Sequence, residues 1–91
     1  MNKNNITNNL KQLNDFNLQL REQDTVLYWE IDKNIGNILN ILNNDHYDQN
    51  KIKKSLNNIL DIVNEIDLFD VVLANKINTI VNSIFIVLIL N

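Results

Sequence analysis

The chain has 91 residues, 45% hydrophobic and 21% charged, which suits one small globular domain and leaves no room for a second core. It has no Cys, which excludes disulfides and thiolate metal or redox sites, and its single His offers little to any other transition-metal site. A formal net charge of -3 with only eight Lys and Arg residues argues against a polyanion-binding surface, because phosphate affinity comes from clustered cations; nucleic acid is not an expected partner.

There is no Pro and one Gly, against twenty Asn and fourteen Ile. Without such punctuation the chain is poorly equipped for short strands and tight hairpins, and an all-α fold with long, uninterrupted helices is expected. Asn and Ile are mediocre helix formers, costing up to roughly 0.7 kcal/mol per residue relative to Ala, so packing has to supply the difference.

Residues 1–8 form an Asn-rich, polar start, expected to be a frayed terminus and to lack the apolar core of a secretory signal. From there to residue 43 the apolar positions Leu10, Leu13, Leu20, Leu27, Ile31, Ile35, Ile38 and Leu42 recur by threes and fours once Asn17 and Asp24 are counted. That spacing is a heptad seam and predicts a first long helix over 9–43. Residues 44–50 hold the densest cluster of turn and cap residue types and mark a reversal. The seam resumes at Ile52, Leu56, Ile59, Val63, Ile66, Phe69, Leu73, Ile77, Ile80, Ile84 and Val87, predicting a second long helix over 51–90.

The expected architecture is therefore a coiled-coil-like antiparallel hairpin. Further apolar residues, among them Phe16, Tyr28, Trp29, Leu39, Leu60, Leu68, Val71 and Val72, lie off the seam, and two helices cannot cover them all. Partner helices are the simplest cover, so an obligate hetero-oligomer with other helical subunits is expected. The residues expected at that interface are Leu27, Tyr28, Trp29, Ile31, Ile35, Ile38, Leu42, Ile59, Val63, Ile66, Phe69, Ile84 and Phe85. Tyr28 and Trp29 are its best anchors, with packing inside the hairpin as the competing account.

The polar positions Asn17, Asp24, Asn34, Asn37 and Asn40 either fix register and partner number or are Asn placed by codon bias wherever a helix tolerates it. Gly36, inside the first helix, either admits a closely crossing neighbour or is simply tolerated. Lys51, Lys53 and Lys54 stand where the helix dipole disfavours cations, which points to an acidic group of a partner or to ordinary solubility.

Chemistry finds little support. His46 between Asp45 and Asp48 suggests a solvated turn rather than a preorganised metal site, and the run Asp61, Glu65, Asp67, Asp70 suggests a solvated face. Ser55 and Ser83 lack a His within helical reach, and no phosphate-binding Gly loop exists. Neither catalysis nor a cofactor is expected. The run Ile84 to Leu90 has no polar face; burial in a helical assembly is expected, with membrane insertion as the alternative, although Asn75, Lys76, Asn78 and Asn82 interrupt a full span.

The segment from Glu22 to Asn43, EQDTVLYWEIDKNIGNILNILN, resembles the first of the small subunits of the fungal DASH complex, a ring-forming outer-kinetochore assembly. The resemblance is carried by Glu22 and Gln23, Val26 and Leu27, Glu30 and Ile31, Ile38 to Asn40, and Leu42 with Asn43. It covers about a quarter of the chain, and the Trp-containing aromatic stretch of the family's second half has no equivalent here. The resemblance implies a non-catalytic subunit bracing a helical complex that couples chromosomes to the spindle, located in the nucleus at kinetochores and spindle. It also implies that microtubule contact is indirect, in keeping with an acidic chain facing acidic tubulin.

Overall fold

Helix formation here depends on burying one apolar stripe per helix, and the chain does so four times. The computed structural model describes residues 3–44 and 47–90, and its order is α1 (Lys3–Leu20), α2 (Thr25–Leu42), α3 (Gln49–Ile66) and α4 (Val71–Ile89), with no strand among the described residues. Each helix packs against its two neighbours around a square: α1 against α2 and α4, α3 against α2 and α4. Short connections make consecutive helices antiparallel, the up-and-down arrangement of a four-helix bundle. The body measures 38 × 20 × 19 Å.

The all-α expectation holds, but the two long helices are corrected to four shorter ones. Each predicted helix reverses at its middle, across residues 21–24 and 67–70. Asp24 and Asp70 cause the break. Each adopts a non-helical conformation and accepts a hydrogen bond at 3.0 Å from the backbone N–H three residues on, Leu27 and Leu73 respectively. A side-chain acceptor that satisfies an otherwise orphan N–H starts a new helix at that point. Asp48 does the same for α3, accepting from the Asn50 N–H at 2.9 Å. The predicted frayed start is also corrected: α1 begins at Lys3, and Ile6 is buried in the core. His46 and Asp45, considered above as a turn or a metal site, lie outside the described residues.

The core is the predicted seam almost residue for residue. Leu10, Leu13, Asn17, Leu20, Leu27, Ile31, Ile35, Ile38 and Leu42 are all buried, as are Ile52, Leu56, Ile59, Val63, Ile66, Leu73, Ile77 and Ile84. The seam departs from prediction late in the chain: Phe69 lies in the connection and is about half exposed, Ile80 and Val87 are only partly buried, and Val81 and Leu88 take the interior places.

The core positions also repeat at a spacing of 46 residues, from Ile6, Leu10, Leu13 and Leu20 to Ile52, Leu56, Ile59 and Ile66, and from Leu27, Ile31, Ile35, Ile38 and Leu42 to Leu73, Ile77, Val81, Ile84 and Leu88. The capping residues Asp24 and Asp70 obey the same spacing. The molecule is thus two similar helical hairpins, each covering the other's seam, and the partner helices expected from elsewhere come largely from the chain itself.

Candidate interaction surface

Most of the residues expected at a partner interface serve this internal packing. Leu27, Ile31, Ile35, Ile38, Leu42, Ile59, Val63, Ile66 and Ile84 are buried between the chain's own helices, and Tyr28 and Phe85 are partly buried against the same core. Trp29 and Phe69 differ, at 63% and 48% exposed. Trp29 lies on the outward side of α2, opposite its buried stripe. Leu18 on α1 and Leu39 farther along α2 are exposed as well.

Leu39 and Gly36 belong to a shallow groove between α1 and α2, lined also by Thr7, Lys11, Asp32 and Ile35. A Cβ added at Gly36 would meet nothing within 4 Å. Of the two readings of this glycine, a closely crossing neighbour is therefore corrected: none of the described residues stands close enough to require it.

The α2–α3 groove is polar. Asn34 is buried, donates through Nδ2 to the Glu30 carbonyl at 2.8 Å and accepts at Oδ1 from Asn58 Nδ2 at 3.2 Å. Glu30, Asp61 and Glu65, with Lys33 among them, line one stretch of this groove, while Lys51 and Lys54 line the other, beside Asn37 and Asn40. Asn37 and Asn40 are exposed.

The two ends of the bundle differ in charge. The end built from the α1–α2 and α3–α4 connections presents Glu22, Asp24, Glu65, Asp67 and Asp70, with Arg21 and Lys76 as its bases among the described residues. Gln23 ties the two connections together, its Nε2 donating to Asp70 Oδ2 at 2.9 Å. This hydrogen bond and then the Leu73 N–H hold the Asp70 carboxyl below the usual carboxylate range against desolvation, with the charge of Lys76 the least of the contributions. Val26, Leu68, Phe69, Val71 and Val72 are exposed at the same end, Leu68 at 86%. The opposite end carries Lys3, Lys51, Lys53 and Lys54, with Asp48 as its acid among the described residues, and exposes Ile89 and Leu90. Lys3 donates to the Asn44 carbonyl at 3.5 Å and lies 5.7 Å from the centre of the Tyr47 ring.

The polarity runs along α3 in particular, which has cations in its first turns and Glu65 and Asp67 at its close. Both groups oppose the helix dipole, each charge typically at a cost of about 0.3–1 kcal/mol.

Among the described residues no group of three or more His, Asp or Glu side chains is placed to hold a metal ion. Ser55 is buried, and Ser83 donates to the Thr79 carbonyl at 3.0 Å, a local helix bond. Comparison with family models, curated proteins and solved structures finds no match to this chain.

Proposed function

We propose that the chain is a non-catalytic structural subunit that joins a helical assembly through the outer face of α2. The observation that carries this reading is the exposure of Trp29. A tryptophan offers a large apolar surface at small entropic cost and is among the residues that most often dominate protein interfaces, yet here its ring stands in solvent. Leu18 and Leu39 give it exposed apolar company on the same hairpin. The partners are other helical subunits.

The test is affinity isolation of the tagged chain from its native cells, beside the Trp29→Ala variant. Stoichiometric partners should accompany the first and be lost from the second while its circular dichroism is unchanged. Equal recovery with both chains would refute the reading. In its sharpest form the assembly is of the DASH type, a proposal supported by residues 22–43, with indirect microtubule contact and a nuclear location at kinetochores and spindle. A fluorescent fusion absent from mitotic kinetochores would remove that form.

A second reading, a small tail-anchored membrane or viral protein, draws on α4. It has 19 residues, an 18-residue window of it has a mean hydropathy of 1.7, and by length and composition it could cross a bilayer. Resistance of the protein to alkaline extraction would favour this reading over the first.

A further inference from the structure

We infer that copies of this chain associate end to end, the acidic end of one bundle seated on the basic end of the next. This goes beyond the partner reading, which concerns the flank of α2.

Three observations converge on a second copy as the occupant. Opposite charge is segregated by end: Glu22, Glu65 and Asp67 at one, Lys51, Lys53 and Lys54 at the other. Both ends also expose apolar side chains that a neighbour would cover, Leu68, Val71 and Val72 facing Ile89 and Leu90. Finally, α3 keeps both sets of charges against its own dipole, so local helix stability does not account for them. Neighbouring antiparallel helices oppose one another's dipoles, and the polarity of the bundle is therefore made by side chains.

An acidic surface meeting a basic one is a heterologous contact. It leaves a free end of each kind and propagates instead of closing at a dimer. The backbone cross-section at each end is only 20 × 19 Å, which puts the contact among small interfaces. Association is accordingly weak and sensitive to salt.

Sedimentation velocity of the purified full chain tests this. In about 20 mM salt the weight-average mass should climb several-fold between roughly 20 µM and 1 mM without a plateau at the dimer, and return to the monomer in about 500 mM salt. Two triple variants should each stay monomeric: Glu22→Lys, Glu65→Lys, Asp67→Lys, and Lys51→Glu, Lys53→Glu, Lys54→Glu. All the changes on α3 agree with its dipole, and unchanged helicity by circular dichroism accompanies the loss. Mixed in equal amounts, the two variants should assemble again, because every junction then pairs opposite charges. Trp29→Ala should assemble like the parent chain, which separates this surface from the flank of α2. A monomer at low salt, a plateau at the dimer, mass insensitive to salt, assembly of either triple variant alone, or a mixture that stays monomeric would overturn the inference.

Discussion

Replacing Asn17 by Leu should stabilise the bundle. Asn17 is fully buried; its Nδ2 donates to the Tyr28 carbonyl at 3.1 Å, while its Oδ1 is buried with no hydrogen-bond partner. An unsatisfied buried acceptor costs about 1–3 kcal/mol, and the bond that the amide does make is worth about 1 kcal/mol net. A leucine shares the branching of the amide but has bulkier methyl groups; it removes both and adds apolar burial worth about 1.5–3 kcal/mol, set against the strain of fitting the larger side chain. Position 63, its equivalent in the second hairpin, already holds a buried valine, so the bundle accepts an aliphatic side chain in this layer. Less repacking strain, the net gain is about 2 kcal/mol, a rise in Tm of roughly 8–16 °C for a chain of this size. Thermal unfolding followed by circular dichroism measures it, with Asn17→Ala as the control that removes the amide but leaves a void. A lower midpoint for Asn17→Leu than for the parent would show that the amide is a net stabiliser and would refute the reasoning.

Gly36→Ala should raise stability by about 1 kcal/mol in the isolated chain, since a helix interior favours Ala and the added methyl meets nothing; a fall in the denaturant midpoint would contradict the open space beside it. Val63→Asp should unfold the bundle, at a cost of several kcal/mol for a buried, unpaired carboxylate, while Asp61→Ala on the exposed side should shift the midpoint by less than about 0.5 kcal/mol; equal effects would refute the register. Because the folded-state pKa of Asp70 is depressed, its contribution to stability is present above the unfolded carboxylate range and is lost as pH falls through the folded value. Asp70→Asn should therefore flatten the acid side of the stability–pH curve, and Gln23→Ala should flatten it in part; a curve unchanged by either would remove the Gln23–Asp70 pair as its cause.

The interior was legible because burial follows spacing. Leu10, Ile31, Ile59 and Ile77 could be assigned to one stripe from steps of three and four alone. The reversals were not legible because each connection preserves that count. From Leu20 through Asp24 to Leu27 the steps are four and three, as they would be along a continuous helix, and the same holds from Ile66 through Asp70 to Leu73. The signal that could have shown the break was chemical: an Asp followed three residues later by the first buried Leu, with β-branched residues between, is a helix start. Reading Asp24 as a polar seam position hid it. The number of helices decides in turn how much surface is left over, so the surplus off the seam pointed to outside partners when half of the cover was already in the chain. At the surface, Trp29 stands two residues from Leu27 and so on the opposite side of α2, which spacing does encode, whereas the exposure of Phe69 follows from its place in the α3–α4 connection, which the preserved count of threes and fours conceals.

The same geometry bears on the fate of α4. Its buried residues Leu73, Ile77, Val81, Ile84 and Leu88 form one wall of the core, and Asn75, Lys76 and Asn82 are all exposed on the outer side. In the bundle this division buries the core stripe and leaves Lys76 and the amides in water, while Val71, Val72, Ile86 and Ile89 are exposed beside them. A bilayer would take these polar groups out of water: a Lys at the centre of a spanning helix costs about 2.5–3.5 kcal/mol, less near the interface, and the amides would have to find partners in hydrocarbon. Withdrawal of α4 would also uncover the apolar faces of α1 and α3, which pack against it, and each leucine or isoleucine so exposed forfeits about 1.5–3 kcal/mol. Bundle and membrane are thus alternative destinations for one helix, and a chain inserted through α4 would have to cover three abandoned helices with another protein. The buried stripe of α4 favours the bundle, and the apolar run from Ile84 to Leu90 then divides between the core, through Ile84 and Leu88, partly buried positions at Phe85 and Val87, and the surface, through Ile86, Ile89 and Leu90.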